Sequence, residues 1–234
     1  MDNIWLSQII RNLELFERDF VIACQKAGRK KEDVQILYAT KYLQPHEFLE
    51  FVNFLHDTKR PIIIGENRIQ DGKKKLDFVK NQKPILFKYI TPISIGTLQT
   101  NKINTALTYF SEIHSVDSLD LAVDLNNRLA RSGKTLAVYI EVNASGEQAK
   151  HGLTPSEFPR VYTTIQQLKY IHVKGLMTMA PLTENVKTIH NVFRKARTLA
   201  NTYGLLTSMG MSHDWKIALE EGSVMIRIGS AIFS

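Results

Sequence analysis

The chain has 234 residues, 44% of them hydrophobic and 23% charged, enough to fill one large core beneath an ordinary polar surface. A single cysteine, Cys24, excludes an internal disulfide and fits a reducing, cytoplasmic compartment. No apolar run approaches the roughly 18 residues of a spanning helix. Met1–Ser7 lacks the basic and apolar regions of a secretory leader, and the formal charge of +7 comes without any nucleic-acid module.

In chain order, an amphipathic helix is predicted over Ile4–Lys26, with Cys24 as a buried, inert thiol. Arg29-Lys30-Lys31 reads as a solvated loop. The first strand, Val34–Thr40, runs into Lys41. Helix Pro45–Asp57 leads to strand Pro61–Ile64 and the polar stretch Gly65-Glu66-Asn67-Arg68. Helix Asn67–Lys80 carries Lys73-Lys74-Lys75, which reads as another solvated face. Strand Ile90–Ile95 is interrupted by Thr91-Pro92, since proline offers the ladder no donor. Helix Gln99–Phe110, strand Glu112–Val116, helix Ser118–Arg131 and strand Leu136–Asn143 follow. Thr154-Pro155-Ser156-Glu157 sets a capping hydroxyl before a proline, placing a helix over Pro155–Leu168. Strand Ile171–Thr178, helix Glu184–Tyr203, strand Thr207–Met211, helix His213–Glu221 and strand Val224–Ile228 complete the alternation. Asp117-Ser118 and Ser212-His213-Asp214 offer further caps. Gly133 and Gly204 suit the left-handed residue just past a helix end. Met177, Met179, Met209 and Met211 read mostly as core filler, with Met211 also able to reach a bound ring.

Eight strands alternating with helices predict an α/β fold: a single (β/α)8 TIM barrel, one domain over residues 1–234, with an additional N-terminal helix. An open doubly wound sheet is the alternative. In a barrel, function gathers at the C-terminal strand ends. Those ends carry Lys41, Asn67, His114-Ser115, Asn143, Met177-Thr178, Ser212 and Arg227-Ile228-Gly229-Ser230. First and last strands are neighbours in a closed barrel, so Lys41 and Arg227 would share one rim. Desolvation and a nearby cation would lower the lysine pKa and favour a neutral, nucleophilic amine. Gly229, Ser230 and Ser212 would cradle an anion, because loops after the last two strands form the phosphate site in many such barrels. With the sequence stopping at Ser234, any helix after Ser230 is expected to be short and its dipole weak. Arg227, pointing inward, would meet a pyridine nitrogen and keep it unprotonated; a salt bridge to Glu66 is the competing role. Asn67, Ser115 and Ser212 would alternatively cap the helices that follow them. A lysine, an arginine and an anion cradle at one mouth suit a phosphorylated aldehyde, and pyridoxal 5′-phosphate (PLP) is the obvious candidate. No His-Glu-x-x-His zinc pattern, Gly-x-Ser-x-Gly elbow, P-loop or Gly-x-Gly-x-x-Gly occurs.

Ordered motifs span nearly the whole chain: Ala39-Thr40-Lys41, Gly65-Glu66-Asn67, Gly96-Thr97-Leu98-Gln99-Thr100-Asn101-Lys102, Glu141-Val142-Asn143, Lys150-His151-Gly152, Gly175-Leu176-Met177, Ser208-Met209-Gly210-Met211-Ser212 and Arg227-Ile228-Gly229-Ser230-Ala231-Ile232-Phe233. With them the sequence resembles the pyridoxal-phosphate homeostasis proteins, single-domain relatives of the N-terminal barrel of alanine racemase. The resemblance implies that Lys41 carries PLP as an internal aldimine and that Arg227 faces the pyridine nitrogen. It further implies that Ser212, Gly229 and Ser230 hold the phosphate, with Asn67 near the cofactor. The implied function is intracellular buffering or delivery of PLP without robust catalysis. A monomer is expected, with PLP-dependent apo-enzymes as candidate recipients and no specific nucleic-acid or membrane partner.

Three departures stand out. Ser230 replaces the family's usual threonine and keeps the hydroxyl. Ile93-Ser94-Ile95-Gly96 stands where the family usually has His-Phe-Ile-Gly, removing a polar side chain near the pocket. His213 and Lys216 alter the charge around Asp214. Racemisation needs acid/base groups on both substrate faces. In alanine racemase the opposite-face tyrosine comes from a second domain of the partner subunit, which this sequence, ending with its barrel, is expected to lack. The alternative function is a small PLP enzyme, a racemase or lyase with another base. A barrel holding some other phosphorylated ligand without a Schiff base is the third.

Overall fold

Eight parallel strands close on themselves in sequence order, the last returning to pair with the first. They are β1 (Gln35–Ala39), β2 (Ile62–Glu66), β3 (Ile90–Ser94), β4 (Glu112–Val116), β5 (Leu136–Glu141), β6 (Ile171–Met177), β7 (Leu206–Met211) and β8 (Met225–Ile228). The helices are α1 (Ile4–Lys26), α2 (Pro45–Asp57), α3 (Ile69–Gln82), α4 (Pro84–Phe87), α5 (Ile103–Tyr109), α6 (Leu119–Ala130), α7 (Phe158–Ile165), α8 (Val186–Thr202), α9 (Trp215–Glu220) and α10 (Ser230–Phe233). This computed structural model describes residues 4–147 and 151–234, so the expectations for the first three residues and for Lys150 lie outside it. The closed barrel removes the open-sheet alternative. Among the described residues no helix is long and apolar enough to cross a membrane.

All eight expected strands form. Pro92 keeps its place in β3 opposite Ile64, and its carbonyl accepts from Ser111 N–H at 2.8 Å, so the strand loses one donor but not its register. Helix starts differ more. Thr154 and Glu157 bond each other in a turn, Thr154 N–H to the carboxylate at 3.0 Å and Glu157 N–H to the hydroxyl at 3.2 Å. That turn absorbs the first residues expected of α7 and delays the helix to Phe158. The stretch after Gln99 divides into a 3-10 turn, Thr100–Lys102, and α5. Gly133 and Gly204 have φ of +66° and +65°, the left-handed form that helix ends favour.

Strand alternation sorts the core into two layers. Leu37, Ala39, Ile93 and Met225 point inward and pack together, with Ile63 and Ile95 against them. Tyr38, Ile64, Ile226 and Ile228 point outward onto Phe48, Phe51 and the apolar face of α1. Phe48 and Phe51 are fully buried, and truncating such a ring to alanine costs about 3–5 kcal/mol. The added helix α1 has a defined place. Phe16 meets the Trp215 ring at 5.1 Å, and Asn12 donates to the Ile232 carbonyl at 3.0 Å, which ties α1 to α9 and α10. Cys24 is buried within α1, and burial raises its thiol pKa, in line with an inert role.

The inner layer also carries a polar chain. Lys174 Nζ donates to Glu112 at 2.5 Å, and the other carboxylate oxygen lies 3.0 Å from His114 Nε2. His114 Nδ1 is 3.3 Å from Ser208 Oγ, which accepts from Arg227 Nη1 at 3.0 Å. The Glu112 carboxylate can only accept, so Nε2 carries the ring proton and donates to it, which leaves Nδ1 to accept from the Ser208 hydroxyl. His114 was expected at the rim. It lies inside the barrel because its ring packs on Tyr139, centroids 3.9 Å apart, in space that Gly175 leaves by having no side chain.

Burial pushes the His114 pKa from 6.5 down to about 4. Between those values the unfolded chain binds more protons than the folded one. Stability is therefore complete above about pH 6.5 and falls as pH drops toward 4, with up to about 3 kcal/mol from this residue. Urea unfolding at about pH 7 and about pH 4.5 measures this slope. His114→Asn is expected to remove the share owed to His114, and identical slopes in the two proteins would refute it.

Candidate cofactor site

Two strands bring the key cation and amine together. Along β1 the inward series Leu37, Ala39 continues to Lys41, and along β8 the series Met225, Arg227 continues to Gly229. Register pairs Leu37 with Arg227, so the two series run side by side to the same rim. Lys41, Asn67, Met211, Ser212, Arg227, Gly229 and Ser230 all line one cavity of about 250 Å³. The residues expected to hold the cofactor are therefore present at one place, whereas His114, Ser115, Asn143, Met177 and Thr178, also expected at the strand ends, do not line that cavity. Tyr42, Ile95, Met179 and His213 also border it. Strand alternation beyond Met177 would have exposed Met179, which is 37% accessible at the mouth rather than core filler. Met177 and Met209 are buried as expected.

Lys41 is exposed. The expected desolvation does not occur, because Lys41 stands in the turn after β1 and not within the strand. Its Nζ lies 5.0 Å from the Tyr42 ring centroid, a cation–π contact that holds the amine toward the cavity wall.

Arg227 is almost completely buried. Its Nη1 donates to the Ser208 carbonyl at 2.6 Å and to Ser208 Oγ at 3.0 Å, and Nη2 donates to the Thr178 carbonyl at 2.9 Å. Burial brings its pKa down to about 10 while the Asp214 and Glu141 carboxylates oppose that shift, so the guanidinium stays charged at neutral pH. The competing salt bridge to Glu66 does not form. Glu66 lies on the outer face of β2 and pairs with Lys75 at 2.7 Å. Lys75 is itself a correction: the lysine run was expected to be solvated, yet this member is 3% exposed.

The helix-cap alternatives fail at the site. Ser212 Oγ accepts from the N–H groups of Gly229 at 3.2 Å and Ala231 at 3.1 Å, and makes no bond into α9. Asn67 is not the residue that opens α3, since Arg68 holds that position. Ser115 donates to the Gly96 carbonyl at 2.7 Å. Of the named caps, Ser118 does accept from Leu121 N–H, at 3.3 Å. Asn143 holds its own loop instead of the cavity, donating to the Glu147 carbonyl at 2.8 Å.

These residues fit a phosphorylated pyridine aldehyde. Two backbone N–H groups already converge on one oxygen, that of Ser212, which marks where an anionic oxygen would be received. A Cβ at Gly229 would stand 3.1 Å from Tyr42 Cε2 and 3.3 Å from Ala39 Cβ, filling the cradle. Arg227 spends Nη1 twice and Nη2 once, which leaves Nε–H and one Nη2–H for a ring acceptor. Gly210, at φ +95°, turns the end of β7 so that Met211 and Ser212 reach the mouth. Its missing Cβ would meet Ala218 Cβ at 2.5 Å. Gly210→Ala is expected to destabilise by about 2 kcal/mol or more, read from the urea midpoint; an unchanged midpoint would contradict the tight packing.

Residues 89–234 match the family model for the alanine racemase N-terminal domain. The chain is 34% identical over 218 residues to the pyridoxal phosphate homeostasis protein of Aquifex aeolicus, covering 90% of this chain and 91% of that one. The chain belongs to the pyridoxal phosphate homeostasis protein family. The Vibrio alginolyticus member is 32% identical over 234 residues, with 97% of each chain covered. PipY of Synechococcus elongatus, solved with PLP bound, superposes with a TM-score of 0.78 at 25% identity, covering 97% of this chain and all of that one. Within the homeostasis-protein family, the Ile93-Ser94 departure has a structural reading here. Ile93 joins the inward apolar cluster beside Ala39, and Ser94 is fully buried.

Proposed function

We propose that this chain binds PLP at the barrel mouth through a Schiff base on Lys41, as one unit over residues 1–234. Its role is cytoplasmic PLP homeostasis, buffering the cofactor or delivering it to PLP-dependent apo-enzymes, without robust turnover and as a monomer. One observation carries this reading: the amine of Lys41, the guanidinium of Arg227 and the Ser212-Gly229-Ser230 cradle border a single cavity. The relatives' names and the PLP-bound PipY support it.

PLP brings an electrophilic aldehyde and a phosphate on one pyridine ring. Lys41 Nζ would attack the aldehyde carbon, forming a C=N bond with loss of water. Gly229 and Ala231 N–H would turn from Ser212 Oγ to a phosphate oxygen, and the Ser212 and Ser230 hydroxyls would donate beside them. Asn67 and Met211 would flank the ring. Arg227 would donate to the ring nitrogen without protonating it, since a guanidinium gives up its proton reluctantly. A ring left neutral at nitrogen withdraws electrons weakly, which suits holding the cofactor better than carbanion chemistry. The exposed Lys41 and the 44% exposed Tyr42 leave the mouth accessible to water, unlike a sealed catalytic site.

An enzymatic role is favoured by one observation, that His213 and Tyr42 border the same cavity and could act as a second acid/base pair. The deciding experiment incubates purified protein with PLP, then assays amino-acid racemisation, lyase turnover and reactivation of an apo-enzyme. The expected result is reactivation with negligible turnover. Turnover at ordinary enzymatic rates, about 1 per second or faster, would overturn the homeostasis role.

A further inference from the structure

Behind the mouth, between the outer face of the sheet and α3, lies a buried ion pair that the cofactor site does not use. Lys75 and Glu66 are 3% and 1% exposed, and Lys75 Nζ reaches Glu66 Oε1 at 2.7 Å. Gly72 lets α3 come this close, since a Cβ there would stand 3.2 Å from Glu66 Cγ. The pair is directed at one residue. Lys75 Nζ also donates to the Thr40 carbonyl at 2.6 Å, and the Thr40 hydroxyl donates to Glu66 Oε1 at 2.5 Å. Both donors fall on Oε1, while Oε2 is buried without a hydrogen-bond partner among the described residues, so every bond the carboxylate makes there is to Thr40 or to the lysine that also holds Thr40.

Thr40 immediately precedes Lys41, and all its polar atoms are engaged. Its N–H donates to the Gly65 carbonyl at 3.0 Å, and its carbonyl accepts from Leu43 N–H as well as from Lys75. Glu66 in turn immediately precedes Asn67, and the Glu66 carbonyl accepts from Ile95 N–H at 3.0 Å. The same charged pair thus fixes the backbone entering two cavity residues and touches the strand that supplies a third. A buried pair contributes little stability beyond what a well-packed apolar pair would give. Its directed geometry is therefore better accounted for by position than by stability.

We propose that Lys75, Glu66 and Thr40 are positioning residues that aim the Lys41 amine, given Lys41 as the PLP lysine. They act on the reaction of the aldehyde and not on the grip on the phosphate, which belongs to the ends of β7 and β8, where Lys75, Glu66 and the Thr40 hydroxyl make no hydrogen bond among the described residues. A displaced amine loses its alignment with the aldehyde carbon while the ring and phosphate contacts remain.

The test compares PLP with pyridoxine 5′-phosphate, which keeps ring and phosphate but has an alcohol in place of the aldehyde. Two variants are used: Thr40→Val, which deletes only the hydroxyl, and the apolar double replacement Glu66→Leu with Lys75→Met. PLP affinity, or the rate at which its visible band appears, is expected to fall about tenfold in each. Affinity for pyridoxine 5′-phosphate should change less than about twofold, and the double variant should keep its melting temperature. Parallel losses for both ligands, or no loss for either, would overturn the proposal. If the double variant fails to fold, Thr40→Val decides alone. Wild-type protein that binds pyridoxine 5′-phosphate yet forms no band with PLP would instead sink the Lys41 assignment itself.

Discussion

Lys41→Ala is expected to abolish the visible band formed with PLP and to lower PLP affinity by about a hundredfold or more, about 2.7 kcal/mol. The side chain is exposed and touches the Tyr42 ring without any buried hydrogen bond. Its removal should leave stability within about 0.5 kcal/mol, so lost binding would not reflect lost fold. The anion cradle at Ser212, Gly229 and Ser230 is untouched by this change, and inorganic phosphate or pyridoxine 5′-phosphate should bind as before. Absorbance titration with both ligands measures the difference. A variant that still forms the band would place the covalent bond on another lysine. Loss of both ligands together would mean that Lys41 supports the cradle directly.

Arg227→Met should produce a large loss of stability. The guanidinium supplies the Thr178 carbonyl with its donor and bonds both the carbonyl and hydroxyl of Ser208. Methionine fills much of the volume but leaves Thr178 O buried without a donor. It also leaves the buried carboxylates of Asp214 and Glu141 without their nearby cation. Loss of such charge-assisted bonds corresponds to about 3 kcal/mol, or a fall in melting temperature of about 6–12 °C. Arg227→Lys keeps the charge without the planar fork and should fall between wild type and Met. Calorimetry of the three proteins checks the order. A Met variant as stable as wild type would show the hydrogen-bond set to be energetically idle.

The barrel was legible in the sequence because each strand is an apolar run bounded by polar residues, and because Lys41 and Arg227 end the first and last of them. Closure then brings those ends together without knowledge of any side-chain contact. The rest depended on which face each residue takes. Glu112 and His114 share one face of β4, but alternation alone does not say that this face is the interior, so His114 was placed at the rim. Lys75 carried a signal that was available: it falls at helical spacing with Gly72, Leu76 and Val79, the buried stripe of α3. Three consecutive lysines masked it, since charge composition points to solvent. The roles of Ser212 and Asn67 were ambiguous because a hydroxyl or amide before a helix serves equally as cap or ligand. Here the exact start of the helix decides, and helix starts are what sequence patterns fix least.

Borohydride reduction of the PLP-loaded protein, followed by peptide mapping of the modified residue, tests the amine at the barrel mouth most directly. One stable label is expected, on Lys41, in the peptide that joins β1 to α2, and it should be absent from Lys41→Ala. A label on any other lysine, or protein that turns yellow with PLP and yet carries no label after reduction, would contradict the assignment.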